Sequence, residues 1–236
     1  MIHELPAKSI YLANRHPRLT RDAFAERWLR HSRIGESLSD PRLHGSVSSL
    51  RYCLTVDPTG VLDHATDEHD GVALLALRSV ASIPSMRDML VTNDIAFADE
   101  LRTFERPVEQ FAMYAASEIV LDGAETDVVV IDFGRRLADV GPVDFLRRHH
   151  EAHEAVRDAL VAAGVRRVVR NVAVAPAARG FTYDTITEYW FDSVDAVAAA
   201  APTLGELHES SGDHMIRGAS TTLVTRVLLR LGRDRP

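Results

Sequence analysis

One cysteine, Cys53, stands among the 236 residues. That excludes an intrachain disulfide and a cluster of cysteine thiolates around a metal, and in its strand-like run Cys53 reads as a small buried hydrophobe. No apolar run approaches the roughly 18–20 residues that cross a bilayer. The first twenty residues carry His3, Glu4 and Pro6 ahead of a short apolar run, unlike a signal peptide, so a cytoplasmic protein without membrane contact is expected. Positive charge is also outnumbered, 27 lysines and arginines against 34 aspartates and glutamates, and the formal net charge of −7 gives no reason to expect nucleic acid as a partner. Arg27, Arg30 and Arg33 share a helix face, but such a face reads as solvated rather than as a phosphate site. Glycine-rich phosphate loop, nucleophile elbow and dinucleotide fingerprint are all missing.

What is present is an ordinary globular composition, 46 % hydrophobic, in a chain long enough for two domains of roughly 115 residues each. Ser9–Asn14 reads as a strand, and Thr20 as the N-cap of a helix that ends before Asp40-Pro41. Ser46–Val56 and Gly71–Ser79 read as strands around the turn at Asp57-Pro58-Thr59-Gly60. A helix opened by Pro84 runs to about Leu101, and Phe111–Leu121 is a further strand. After Asp122-Gly123-Ala124-Glu125 the order returns. Strand Asp127–Phe133 precedes a helix introduced by Gly141-Pro142 and closed by Gly164. Strands Val165–Val174 and Thr182–Phe191 join around Pro176 and Gly180, and a helix from Ser193 leads to a last strand, Ala219–Leu229.

Phe145 follows Phe24 by 121 residues and Asp184 follows Asp70 by 114, the difference falling in the longer Pro58–Asp70 loop. The repeat divides the chain into halves 1–122 and 123–236. Each βαββαβ half covers one sheet face with helices and leaves the other bare. Two bare faces buried on each other give the expected fold class, α+β: two tandem ferredoxin-like halves forming one pseudo-dimeric barrel within a chain.

In both halves a histidine interrupts a buried helical stripe. One stripe is Phe24, Trp28, His31, Gly35, Leu38; the other is Leu146, His149, His153, Val156, Leu160. A neutral imidazole there needs a hydrogen-bond partner. His149 and His153 are spaced like two ligands of a zinc helix. However, the run is His-His-Glu-Ala-His rather than His-Glu-x-x-His, and no third ligand is identifiable, so no metal is expected. The acid–base reading is stronger. His153 in an enclosed pocket would titrate near neutrality, with Glu188, the acid of an apolar-aromatic strand, fixing its tautomer. The plainer reading of Glu188 is solvent-facing, on the strand face of Thr182, Asp184 and Trp190. Tyr183, Thr185, Thr187 and Tyr189 line the other face, where phenols could orient an oxygenated ligand or simply form an interface. Trp28 reads as core packing or as a surface for substrate stacking, and His31 is a further acid–base candidate. His64, His69, Asp63, Asp67 and Asp70 read as a solvated loop, and Arg135 and Arg136 as an exposed turn.

The segment Leu19-Thr20-Arg21-Asp22-Ala23-Phe24-Ala25-Glu26-Arg27-Trp28 with His31 resembles the first helix of the EthD family. Tyr183-Asp184 leading into Glu188-Tyr189-Trp190-Phe191-Asp192-Ser193 resembles that family's third strand and turn. The resemblance implies a dimeric α+β barrel, whose wider superfamily includes cofactor-free monooxygenases, decarboxylases, lactone isomerases and polyketide cyclases, along with haem enzymes. The family places histidine eight residues after the helix phenylalanine and tryptophan four after it. Trp28 fits, but His31 follows Phe24 by seven; His153 has the family spacing from Phe145, with His149 in the tryptophan position. Glu188 follows Asp184 by four, as the pattern prefers, whereas the first half has Leu74 there. The second half is the better equipped.

These observations converge on a cofactor-independent enzyme for an apolar oxygenated or aromatic metabolite, with lyase, isomerase, cyclase or decarboxylase chemistry. His153, Glu188 and His31 are its catalytic candidates; Trp28, His149, Tyr183, Tyr189 and Trp190 are its ligand-binding candidates. The alternatives are a non-catalytic small-molecule binding protein and a haem-binding barrel with an axial histidine. Assembly into a homo-oligomer is left open.

Overall fold

The structure, a computed structural model, describes residues 4–37, 45–174 and 182–232. The elements run β1 (Ala7–Ala13), α1 (Arg21–Ser37), β2 (Val47–Thr55), β3 (Gly71–Leu77), α2 (Ile83–Thr92), α3 (Asp94–Thr103) and β4 (Ala112–Leu121). They continue with β5 (Val128–Gly134), α4 (Pro142–Ala162), β6 (Arg167–Ala173), β7 (Thr185–Phe191), α5 (Val194–Ser210) and β8 (Thr221–Gly232).

Local chemistry sets these boundaries. Thr20 Oγ1 accepts from the Ala23 N–H at 3.2 Å, and Ser193 caps α5 in the same way through Ala196. Gly164, at φ +93°, closes α4 in the left-handed region and donates its N–H to Val161 O. The single helix expected from Pro84 to Leu101 is two. Asn93 leaves the helical region at ψ 94° and its side chain caps the second of them through the Ala96 N–H. Strand β7 starts at Thr185 rather than Thr182, because the chain bends at Asp184. Strand β6 is also shorter than expected, and β8 is displaced by a few residues towards the C-terminus. The stripe residue Leu38, the expected end of α1 before Asp40-Pro41, and the link around Pro176 and Gly180 lie outside the described residues.

The strands close an antiparallel barrel in the order β1-β3-β2-β8-β5-β7-β6-β4. The first four therefore run β4-β1-β3-β2 and the last four run β8-β5-β7-β6, the same order twice, joined at seams β2–β8 and β4–β6. Alternation along each strand separates two kinds of core. Ile10, Leu12 and Val72 meet Ile131, Phe133 and Ile186 inside the barrel, with Cys53 fully buried among them. Outside, the helices of each half lie on that half's own sheet face. The α+β barrel of two tandem ferredoxin-like halves is the architecture found.

A pair of contacts repeats with the fold. The Arg15 N–H donates to Asp70 at 2.8 Å and its guanidinium pairs with the same carboxylate, while Arg15 Nε donates to Leu19 O. In the second half the Arg136 N–H and Nε both donate to Asp184 at 3.0 Å, and Nη1 donates to Val140 O. Each arginine ties the end of a central strand to its partner strand and to the turn before the helix. Arg136 and Asp70 are thus structural groups, where an exposed turn and a solvated loop were expected.

One connection crosses between halves. After β2 the chain hydrogen-bonds along β8, Val56 N–H to Val224 O and Thr66 N–H to Thr222 O, both at 2.9 Å. It delivers Leu62 into the outer core of the second half.

Candidate functional site

The repeat makes the two outer layers comparable position by position. Adding 121 to β1 and α1 takes Tyr11 to Asp132, Phe24 to Phe145, Trp28 to His149 and Ser32 to His153; adding 114 to β3 takes Leu75 to Tyr189. The strand registers agree, since Tyr11 pairs with Ala73 and Asp132 with Thr187. In the first half, aromatic rings fill the space. Trp28 is fully buried, stacked on Tyr52 at 4.4 Å and Phe24 at 5.1 Å, with Phe104 edge-on. In the second half the same positions carry a carboxyl, two imidazoles and a phenol, and Met215 lines the space beside them.

The hydrogen bonds fix the protonation of the central pair. His153 Nδ1 lies 2.7 Å from His149 O, one turn back along α4. A carbonyl only accepts, so Nδ1 carries the proton. Burial pushes the His153 imidazole down to about 4, so at neutral pH the ring is neutral and Nε2 holds a lone pair. The Tyr189 hydroxyl, 2.7 Å from Nε2, therefore donates to it. Burial, and secondarily the nearby Asp132 carboxyl, push Tyr189 well above the usual phenol range, which keeps it a neutral donor. Asp132 accepts from Thr222 Oγ1 at 2.8 Å; burial raises its carboxyl against the lowering effects of that bond and of His208. The expected titration of His153 near neutrality is overturned: burial outweighs the raising effect of the bond to His149 O.

His149 stacks on Phe145 and meets His153 edge to face at 4.4 Å. Burial, then the other imidazoles, push it well below the usual histidine range. At the rim of the cleft His64, brought by the connection from the first half, stacks on His208 at 4.3 Å. Burial and His208 push His64 down to about 4. Between rings and sheet remains a cavity of about 20 Å³, the space of one water molecule. A tetrapyrrole does not fit there unless α4 leaves the sheet. Among the described residues no three histidine, cysteine, aspartate or glutamate side chains are arranged to hold a metal ion.

Glu188 does not join this group. Neighbouring strand residues point to opposite faces, so while Tyr189 meets α4, Glu188 points into the barrel. It is fully buried rather than solvent-facing. It pairs with Lys8 of the first half and accepts from Asn171 Nδ2 at 2.8 Å and Trp190 Nε1 at 3.3 Å. The expected orientation of His153 by Glu188 is therefore corrected: Tyr189 and His149 O hold the imidazole. Trp190 is buried beside Glu188 inside the barrel. Tyr183 also packs on the interior cluster, its ring 5.3 Å from Phe133, because the bend at Asp184 breaks the alternation that would have set it beside Tyr189. It lines a cavity of about 50 Å³ at the barrel mouth with Asn14, His69, Glu105 and Arg106. His31 lies on the first half, its Nδ1 2.7 Å from Asp99 of α3, which also pairs with Arg27. Burial would raise Asp99, but the bonds from His31 and Arg27 outweigh it and hold the carboxyl below its usual range. Arg27 thus leaves the solvated face expected of it. The structure brings together His149, His153 and Tyr189, and not Glu188, His31, Trp28, Trp190 or Tyr183.

Asp132, His208 and His214 belong to the second-half layer and escape the sequence reading, and His64, expected in a solvated loop, joins them at the rim. Asp132 had a usable signal, an acid in the apolar run Val128–Phe133. The others depend on contacts between distant segments.

Fold and site together define a single-chain α+β barrel of the dimeric α+β barrel type, with one packed and one polar outer layer. No protein-family model matches the chain, and no curated protein matches it by sequence. Solved structures do resemble it. An anthrone oxidase-like protein aligns with a TM-score of 0.65 at 12 % identity, over 98 % of this chain and 94 % of its own. A proposed monooxygenase of Fusobacterium nucleatum subsp. nucleatum aligns at 0.56 and 9 % identity, over 97 % and 95 %. A proposed monooxygenase of Lactobacillus acidophilus aligns at 0.51 and 12 % identity, over 97 % of both chains. At these identities the fold is what is shared.

Proposed function

We propose that the protein is a cofactor-independent enzyme that moves a proton at a carbon next to a carbonyl, in an apolar oxygenated or aromatic metabolite bound in the second-half cleft. The observation that carries this reading is the Tyr189–His153 pair: a neutral imidazole with a defined lone pair, against a phenol that keeps its proton, in a layer walled by Val130, Leu204 and Leu207. When substrate enters, the Tyr189 O–H turns from Nε2 to the substrate carbonyl oxygen. The freed lone pair takes the proton from the adjacent carbon, giving an enolate held by Tyr189 and an imidazolium held by His149 O. The same groups return the proton to the same or a different carbon, which suits isomerase, cyclase or lyase outcomes. A ring-sized ligand needs the rim at His64 and His208 to part, and both are only half-buried. The EthD-like helix and strand motifs support a small-molecule enzyme, as do fold neighbours named for anthrone oxidation and monooxygenation.

The test is hydrogen–deuterium exchange at the carbons next to the carbonyl of 1-tetralone and 2-tetralone, followed by NMR in D2O. Wild-type protein is expected to accelerate exchange, His153→Gln to lose at least tenfold of that acceleration, and Tyr189→Phe to lose a comparable factor. Because His153 is basic down to about pH 4, the rate should be flat between pH 6 and 8. Exchange unaltered in a folded His153→Gln protein would refute the mechanism. Binding of these ketones without exchange would instead favour a binding protein.

A further inference from the structure

Buried polar atoms in folded proteins are nearly always paired, and each exception calls for a cause. Among the described residues, seven buried side-chain nitrogen or oxygen atoms lack a hydrogen-bond partner. Five of them belong to four residues of one region: His149 Nδ1, Arg170 Nε and Nη1, Thr185 Oγ1 and His214 Nε2. Scattered packing faults would not collect in this way.

The four are contiguous. Arg170 on β6 is the cross-strand partner of Thr187 on β7, whose hydroxyl lies 3.4 Å from His149 Nε2. Thr185 is two residues along the same face of β7. The His214 ring lies 5.9 Å from that of His149 and 5.7 Å from Phe145. Both Arg170 and His214 act electrostatically on His149 and His153. The acids nearby leave these five atoms unpaired. Glu118, mostly exposed, takes only Arg170 Nη2; Asp213, also exposed, takes His214 Nδ1; and Asp132 is bonded to Thr222 on the Tyr189 side. What remains is a buried guanidinium with Nε and Nη1 unpaired, a hydroxyl free to donate, and two imidazole nitrogens, of which His214 Nε2 donates only in the imidazolium form because Nδ1 carries the proton given to Asp213.

We propose that this cluster is the oxyanion-binding end of the second-half site. It takes the ionised carboxylate or phenolate of an aromatic substrate whose ring extends towards His153 and Tyr189. The inference rests on the proposed function for the position of the ring and goes beyond it in naming the charged group. A guanidinium with free N–H groups in a water-poor layer is the side chain suited to an anionic oxygen. The edge-to-face contact of His149 with His153 joins this end to the acid–base pair.

Titration calorimetry of the full chain at pH 7.5 with 2-naphthoate and 2-naphthamide tests it, since the two probes differ in the charge of one group. Wild type is expected to bind naphthoate at least tenfold tighter than naphthamide. Arg170→Met should abolish that preference, and Arg170→Lys should keep part of it. Equal binding of the two probes by wild type overturns the proposal. So does an undiminished naphthoate preference in folded Arg170→Met, or in Arg170→Lys and Arg170→Met alike. Naphthamide binding without a naphthoate preference removes the oxyanion end alone, whereas failure of both probes removes it together with the cleft as a binding site.

Discussion

His153 and its neighbours are imidazoles that folding keeps neutral, and that has a measurable consequence. Burial is the main cause of depression for His149, His153 and His64, to about 4 for the latter two. An unfolded histidine titrates near 6.5. Between those values the unfolded chain binds protons that the folded chain refuses, so stability is full above about pH 6.5 and falls as pH drops towards 4. Each fully buried imidazole should cost up to about 2 kcal/mol by pH 5. The depressed carboxylates Asp99 and Asp213 lose their contribution only at lower pH, while burial raises the carboxyls of Asp132 and Glu100, which act in the opposite sense as pH falls and offset part of the histidine loss. Urea midpoints should still fall from pH 7 to 5, and His149→Phe, which restores an aromatic at the position of Trp28, should reduce the slope. A midpoint constant across that range would show the imidazoles to be charged in the folded protein. At this scale the sequence was half legible. The helical period exposes His149 and His153 as buried. The acid nearest in sequence to Tyr189 invites pairing with His153, but strand alternation turns Glu188 to the other side.

Helices and strands were legible where capping chemistry is local, as at Thr20, Ser193 and Gly164. They were misread where one polar residue, Asn93, divides a continuous apolar pattern into α2 and α3. The connection between β2 and β3 was misread for a different reason. Its histidines and acids look solvated in isolation, and only its run along β8 turns His64 into the rim of the other half's cleft. Element packing also makes an opposed pair of glycine predictions. A Cβ on Gly71, at the start of β3, would stand 2.6 Å from Cys53 O and 2.6 Å from the Trp28 ring, which Phe24 and Tyr52 hold in place. Gly71→Ala should therefore destabilise by about 1–3 kcal/mol, lowering the melting temperature by several degrees. Gly205, within α5, has nothing within 4 Å of a new Cβ. Gly205→Ala should raise stability by up to about 1 kcal/mol. Thermal unfolding of both variants checks the pair, and a neutral Gly71→Ala would mean that Trp28 has room to shift.

Across the whole molecule, the repeat offsets and the bare sheet faces made the barrel legible, because burial of two apolar faces is a property of pattern alone. Which polar groups cross the interior was not, since Lys8 and Glu188 are separated by 180 residues. That ion pair is the test of how far the halves depend on each other. Glu188 is fully enclosed, and its other partners, Asn171 and Trp190, are neutral donors from its own half. Lys8→Met would leave a carboxylate without a cation in the barrel, a loss of about 3–5 kcal/mol for a buried pair broken on one side. Replacing both groups, as Lys8→Met with Glu188→Met, removes the unpaired charge and should recover most of it, since well-packed apolar substitutes for a buried pair are often neutral. Chemical denaturation read by tryptophan fluorescence separates the cases, with Trp28 in the first half and Trp190 in the second reporting independently. The interior cluster is built from both halves, so wild type should show one transition. The single variant should shift that transition to lower denaturant without splitting it, and the double variant should return most of the way. Two separate transitions in wild type would mean that each half holds its fold alone and that the Lys8–Glu188 pair only joins them.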